Sequence, residues 1–142
     1  MGYACNLYKK VCRVTPCVYE QGFGYLEMEK CQLLALIGLI LKDADKAKNI
    51  MNRRGQLLSS ANQLLQRCEM YNKDFRGSKE WMKIEKEVEP LVDIVRRMIL
   101  KLSSNVIAKY GSEYKNTRGL LKKDLKELKE RMRGSYPKYV NF

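Results

Sequence analysis

The chain has 142 residues, of which 45% are hydrophobic and 31% are charged, and it contains nine glycines and three prolines. This composition is too apolar for a disordered chain and too poor in breaking residues for an all-β fold, and the length fits one domain. The net charge of +12 favours an anionic partner and leaves open nucleic acid, an acidic membrane surface or an acidic protein. We therefore predict an all-α protein in which residues 1–142 form a single helical domain.

The reactive residue types argue against catalysis. The chain has no histidine, and its five cysteines, at positions 5, 12, 17, 31 and 68, include no Cys-x-x-Cys pair. The common zinc patterns and any Cys/His nucleophile are therefore excluded. The sequence also shows no paired acid and base and no phosphate-binding glycine loop, so we predict no enzyme activity, no cofactor and no metal. The odd cysteine count favours reduced, partly buried thiols, with disulfides open only in an oxidising compartment.

Residues 1–24 form an apolar arm rich in cysteine and tyrosine. A flexible tail rarely carries so many apolar side chains, so we expect the arm to pack on its own helices or on a neighbouring molecule. It lacks the continuous apolar core of a secretory signal, which predicts a location in the cytoplasm or within an assembled particle. Its candidate assembly contacts are Tyr3, Leu7, Tyr8, Val18 and Phe23.

A coiled-coil-like stripe follows, in which eleven positions from Leu33 to Cys68 recur at spacings of four and three. With its polar flanks it predicts one helix over about residues 25–72, which at 1.5 Å per residue would be about 72 Å long. A compact globule of this chain length is only about 40 Å across. The helix therefore either breaks at Arg53-Arg54-Gly55 or makes the protein elongated. Arg54, the one charged residue in the stripe, either pairs with a carboxylate on a facing helix or marks the break.

Between Leu33 and Leu41, apolar residues surround the helix on nearly every side, so one partner helix cannot cover this segment. Its nine residues are too few for a membrane-spanning helix, which needs about 20, and we predict no membrane partner. We expect cover from the N-terminal arm or from another molecule. The candidate assembly contacts in this segment are Leu34, Leu36, Leu39 and Leu41.

The second helix is predicted over about residues 79–110, after a turn that contains Gly77 and with Ser78 as its N-cap. Its apolar positions continue the three-and-four pattern, so the two helices should form an antiparallel hairpin. Pro90 removes one backbone donor and disfavours helical geometry in the preceding residue. It therefore predicts a kink or the start of a new helix.

The third helix is predicted over about residues 117–133. Its four apolar residues fall within about 60° of arc, and five basic residues lie beside them within about 80°. This basic stripe is either a surface for an anion or a solvated edge in which lysine stems cover part of the core. The candidate anion or nucleic-acid contacts are Arg118, Lys122, Lys126, Lys129 and Arg133. Residues 134–142 form an aromatic tail that we expect to dock on the helices.

Together these features predict an elongated helical hairpin or small bundle that acts as a non-enzymatic assembly or scaffold subunit. It would bury its apolar helix and terminal arms against copies of itself or other chains in an oligomer, filament or particle. In layout this is similar to the helical-hairpin subunits of secretion needles and of filamentous virions, although no motif of either is present. The alternative is a nucleic-acid-binding helical protein that uses the basic third helix.

Overall fold

A computed structural model of the protein describes residues 25–47, 50–103 and 112–140. In these ranges the chain forms four α-helices and two short 3₁₀ helices, and it contains no β-strand. The predicted all-α bundle is therefore confirmed. The helices are α1 (Tyr25–Lys46), α2 (Arg54–Asp74), α3 (Lys79–Ser103) and α4 (Ser112–Ser135), and the 3₁₀ helices are Ile50–Arg53 and Pro137–Tyr139.

The four helices pack in chain order, each against the next, and α1 also contacts α3, α4 and the second 3₁₀ helix. Their lengths of 21 to 25 residues correspond to about 32 to 38 Å at 1.5 Å per residue. Helices of this length fit the diameter of a compact globule, whereas a 72 Å rod would not. Residues from all four helices share a hydrophobic core.

The prediction of one long first helix over residues 25–72 is wrong, because α1 ends at Lys46 and α2 begins only at Arg54. The physical reason is burial. Six leucine and isoleucine side chains of α1 between residues 33 and 41 are buried, and each contributes about 1.5 to 3 kcal/mol relative to exposure on an isolated rod. The few backbone hydrogen bonds lost at the break cost only about 0.5 to 1.5 kcal/mol each. Folding α1 back onto α2 is therefore favoured.

Arg54 is the first residue of α2 and belongs to the break site that the sequence predicts at Arg53-Arg54-Gly55. Its Nε donates a hydrogen bond of 2.5 Å to the carbonyl oxygen of Leu102 in the last turn of α3. Carbonyls in the last turn of a helix lack intrahelical partners and carry partial negative charge, so a guanidinium stabilises them. Of the two predicted roles, marking the break is correct only approximately, because the interruption lies between Lys46 and Arg54 and Gly55 is inside α2. The facing acceptor is a backbone carbonyl rather than a carboxylate.

The segment that is apolar on every side lies in the core of the single molecule. Leu34, Leu36 and Leu41 are at most 2% exposed, and Leu39 is half-buried. These residues belong to the same core as buried residues of α2, α3 and α4, so no second molecule is needed to cover them. Leu34, Leu36 and Leu41 are therefore core residues of the fold, and their burial leaves them little surface for contact with another chain.

The turn between α2 and α3 forms as its local chemistry predicts. The Trp81 amide donates to Ser78 Oγ at 3.2 Å, which confirms the N-cap, and Gly77 has a φ of 84° in the turn. The Tyr71 and Trp81 rings pack edge to face with their centroids 5.4 Å apart, and Trp81 Nε1 donates to Asn72 Oδ1 at 2.8 Å. These contacts close the antiparallel α2–α3 hairpin.

Helix α3 runs through Pro90 as one element to Ser103, with the proline on an exposed face. The start of a new helix at Pro90 is therefore wrong, and the kink stays a prediction. The predicted end near residue 110 lies outside the described residues.

The C-terminal tail docks on α1 over the part that is described. Tyr139 and Val140 are buried, and the Tyr139 hydroxyl lies 3.1 Å from Cys31 Sγ. The tail thus adds cover to α1 from the side of α4.

We predict that Leu36→Ala lowers the free energy of unfolding of the monomer by about 2 to 5 kcal/mol, because it leaves a cavity in the core. Leu100, which is 73% exposed, provides the control, and Leu100→Ala should change stability by less than about 0.5 kcal/mol. Urea denaturation of dilute protein measures both values. Equal stability of the two variants would show that the position of Leu36 in the core is wrong.

A second prediction concerns Cys68, whose thiol is buried on α2. Burial is the main cause that raises its pKa from 9.0 to about 11, against an opposing attraction from Arg96. Above pH 9 the unfolded chain loses this proton and the folded chain keeps it, so the free energy of unfolding falls as the pH rises towards 11. The expected slope from this thiol is about 1.4 kcal/mol per pH unit. Cys68→Ala should lack that part of the slope in denaturation experiments at about pH 8 and pH 10. Identical slopes for the variant and the parent protein would contradict the assignment.

Candidate anion-binding surface

Helix α4 presents its predicted apolar stripe to the core. The buried residues of this stripe are Leu121, Leu125, Leu128 and Met132. The helix extends beyond the predicted residues 117–133 at both ends, and it carries eight basic and four acidic residues. The two flanks beside the apolar stripe differ in their charge balance, and this difference defines the candidate site.

The flank that faces α3 is neutralised by ion pairs. Lys101 Nζ lies 2.6 Å from Asp124 Oδ2, and Arg97 Nη2 lies 2.7 Å from Glu127 Oε2. Two of the four carboxylates of α4 are therefore used to hold α3 and α4 together. The sequence alone did not reveal these pairs, because the partners are separated by 23 and 30 residues in the chain.

The opposite flank, which faces the end of α1, carries all five predicted cations and is called the basic flank here. At 100° per residue they lie on one side of α4, and from Arg118 to Arg133 they extend over about 23 Å. Lys122, Lys126 and Arg133 are exposed, whereas Arg118 and Lys129 are half-buried. Among the described residues, no carboxylate forms an ion pair with any of the three exposed cations.

Lys129 connects the basic flank to α1. Its Nζ lies 2.6 Å from Asp45 Oδ2, and the two side chains are 24% and 45% exposed. A partly exposed pair of this kind contributes about 0.2 to 1 kcal/mol. The pair fixes the position of Lys129 and uses one of the hydrogen-bond donors of its ammonium group. An anion that binds Lys129 must therefore compete with Asp45.

A groove of about 290 Å³ runs between the basic flank and the end of α1, and it is called the lysine groove here. Its floor is aliphatic, consisting of Leu41, Ala44, Ala47, Ile50 and Leu125. Three lysines line its α4 side, namely Lys122, Lys126 and Lys129, and Asp45 lies on its α1 side. The groove lies where the helical chain breaks after α1, and Ala44 and Ala47 remain half-buried there.

Chemically, this arrangement suits an anion that also carries an aliphatic group. The lysines are compact charges on flexible stems, each with three hydrogen-bond donors for carboxylate or phosphate oxygens. Leu41, Ile50 and Leu125 are at most 9% exposed, so the apolar surface that the floor offers to a ligand is mainly that of the half-buried Ala44 and Ala47. Removing this surface from water favours binding. Sequence reasoning identified the lysines from their helical spacing. It missed Asp45 and the floor, because their proximity to α4 follows from the fold.

The other predicted contact residues contribute less to this surface. Tyr3, Leu7, Tyr8, Val18 and Phe23 lie outside the described residues. Leu39 is half-buried and packs against the core. Of the predicted assembly contacts, Leu41 alone lies beside predicted anion contacts in the described part of the fold, because it lines the lysine groove together with Lys122, Lys126 and Lys129.

A second polar cluster lies inside the α1–α2 interface. The Tyr71 hydroxyl donates to Glu29, a buried carboxylate, and Arg67 donates to both Gln32 and Tyr71. Burial, followed by the hydrogen bond to Glu29, raises the pKa of Tyr71 well above its ordinary value. The hydroxyl therefore stays protonated and acts as a donor between the two helices. These contacts give the cluster a structural role in holding α1 on α2.

Two further searches of residues 25–47, 50–103 and 112–140 concern metals and membranes. No group of three or more cysteine, aspartate or glutamate side chains there could hold a metal ion. Within the same ranges, no helix is both long enough and apolar enough to cross a bilayer. Comparisons with protein-family models, with curated proteins and with solved structures find no match to this chain. The function is therefore argued from the residues themselves.

We predict that Asp45→Asn strengthens binding to a polyanion, because it removes the carboxylate that competes for Lys129. Asp93→Asn is the matched control, since Asp93 forms a comparable pair with Arg96 at 2.8 Å on the outer part of α3. Both variants lose one negative charge, so their net charges are equal. A difference in the salt concentration at which they elute from a heparin column therefore reports the effect of position. Asp45→Asn should elute at higher salt than Asp93→Asn. Elution of both at the same salt would show that Lys129 does not contact the polyanion.

Proposed function

We propose that the protein is a non-enzymatic component of a protein assembly, and that its basic flank binds an acidic chain. The observation that carries this proposal is the charge asymmetry of α4. One flank is neutralised by pairs with α3, whereas the other leaves exposed lysines beside an uncovered aliphatic groove. By contrast, Arg97 and Lys101 of α3 form ion pairs with carboxylates of α4 within the fold.

The proposed partner is a different chain rather than a second copy. The net charge of +12 makes two copies repel each other at long range. Much of the acidic side-chain set of α3 is also engaged within the molecule, since Glu87 pairs with Lys30, and both Glu89 and Asp93 pair with Arg96. A second copy therefore offers few carboxylates to the basic flank.

Self-assembly through the apolar first helix has lost two of its supports. The long rod does not form, and the apolar segment of α1 is covered by its own chain. The third support was an apolar arm at each end of the chain. The N-terminal arm lies outside the described residues, and the described part of the C-terminal tail packs on α1 of its own chain. Assembly with another chain through α4 is consistent with both structural findings.

Nucleic acid is the second candidate, because the exposed Lys122, Lys126 and Arg133 are placed to neutralise phosphates without regard to sequence. Three such contacts would give a salt slope of about −2.7, so affinity would fall about 40-fold between about 50 and 200 mM salt. The described residues that line the lysine groove include no aromatic side chain on which a base could stack. This composition favours the acidic protein.

The test compares two double charge reversals on the full-length protein. K122E/K126E removes two cations of the basic flank, and K79E/K83E removes two exposed cations with the same four-residue spacing on α3. Binding is measured by fluorescence anisotropy with labelled poly-glutamate and with a single-stranded oligonucleotide of equal charge. Circular dichroism checks that both variants fold.

We expect K122E/K126E to bind poly-glutamate about tenfold more weakly than K79E/K83E, since exposed charge pairs are worth only fractions of a kcal/mol to about 1 kcal/mol each. Equal weakening of poly-glutamate binding in the two variants would show that binding depends only on the net charge of the protein, and this result would overturn the proposal. Tighter binding of the oligonucleotide than of poly-glutamate, with the same dependence on Lys122 and Lys126, would make nucleic acid the partner.

A further inference from the structure

We infer that the lysine groove holds an amphipathic helix of the partner, with aliphatic side chains on the groove floor and carboxylates along one flank only. This inference rests on the proposed function and gives the partner segment a definite chemistry. Three features of the groove carry it: the nature of the floor, the spacing of the lysines and the one-sided charge.

The floor suits aliphatic side chains. Among the residues that the structure describes, it is built from three leucine or isoleucine residues and two alanines, and none of the described lining residues is aromatic. Ala44 lies in the last turn of α1 and Ala47 directly follows the helix, with its amide donating to the Ala44 carbonyl oxygen at 3.2 Å. Their small side chains allow a partner helix to approach closely. Recognition of an amphipathic helix by an apolar groove is an established mode of peptide binding.

The spacing of the lysines suits a helix that lies along α4. Lys122, Lys126 and Lys129 follow each other at intervals of four and three residues, which place them about 6 and 4.5 Å apart along the helix axis. Carboxylates at the same intervals on a partner helix recur with the same separations. A partner helix with an acidic residue at every third or fourth position can therefore pair one carboxylate with each of the three lysines.

The two sides of the groove differ in charge. Lysines line the α4 side, whereas Asp45 lies on the α1 side and pairs with Lys129. A partner helix with carboxylates on both flanks would bring like charges together at Asp45. The preferred partner is consequently acidic on one flank and neutral or basic on the other.

Charge also argues against other occupants of the groove. The N-terminal arm, residues 1–24, contains three basic residues and one acidic residue, so its charge has the same sign as the lysines. A second copy of α4, with eight basic and four acidic residues, is repelled for the same reason. A nucleic acid gains attraction to the lysines and leaves the aliphatic floor without a matching group.

The test uses three labelled probes on the full-length protein. The first is a helical peptide with leucines on one face and glutamates at intervals of four and three on one flank. The second has every leucine replaced by glutamine and keeps the same charge, and the third is poly-glutamate. Fluorescence anisotropy gives the affinities for the parent protein and for Ala47→Glu, which places bulk and negative charge in the groove, and circular dichroism confirms that the variant folds.

We expect the leucine peptide to bind at least about tenfold more tightly than the glutamine peptide, because only it buries apolar side chains on the floor. Ala47→Glu should remove most of that difference. Equal affinities for the two peptides, with poly-glutamate still bound through Lys122 and Lys126, would overturn the inference and leave the proposed function standing. Failure of all three probes to bind would overturn both. An oligonucleotide of equal charge that displaces the leucine peptide at lower concentration than poly-glutamate does would also overturn the inference.

Discussion

The bundle depends on the interruption of the helical chain between α1 and α2. An unbroken helix would expose the leucines and isoleucines around residues 33 to 41 unless another molecule covered them, whereas the break lets α1 fold back into a core shared with α2, α3 and α4. Burial of these side chains outweighs the few backbone hydrogen bonds that the break removes. Two hydrogen bonds also stabilise this arrangement. Arg54 donates to the carbonyl oxygen of Leu102 in the last turn of α3, and the Tyr71 hydroxyl donates to Glu29 across the α1–α2 interface.

The same break creates the candidate site. Ala44 in the last turn of α1 and Ala47 directly after the helix are left half-buried beside α4, where they line the lysine groove with the basic flank. The opposite flank of α4 is committed to ion pairs with α3. In the described part of the chain, the lysine groove therefore places exposed lysines and partly exposed alanines side by side on one surface. Such a surface is more informative than net charge, because +12 alone does not distinguish one anionic partner from another.

Local chemistry and the α2–α3 hairpin were predictable from the sequence, whereas the return of α1 onto α2 and the ion pairs between α3 and α4 were not. The Ser78 cap, the Gly77 turn and the apolar stripe of α4 each follow from a few neighbouring residues, and all three are present in the fold. The break was harder to place, because the three-and-four pattern continues in phase across it. Helix α2 starts afresh after the break and buries Leu57 and Leu64, while Leu58 and Leu65, which the continuous stripe contained, are only partly buried. Periodicity therefore identified the helices and could not show that one of them folds back.

The distance between α1 and α2 tests this account most directly. Spin labels at residues 32 and 70, placed after replacement of the native cysteines, would lie about 57 Å apart in an unbroken helix at 1.5 Å per residue. In the bundle, Gln32 accepts a hydrogen bond from Arg67, so the labelled positions lie close together. Double electron–electron resonance measures the distance between the two labels. Diluting the labelled protein with unlabelled protein removes the contribution of distances between molecules. The account predicts one distribution centred well below half of the rod distance, and a distribution centred near the rod distance would contradict it.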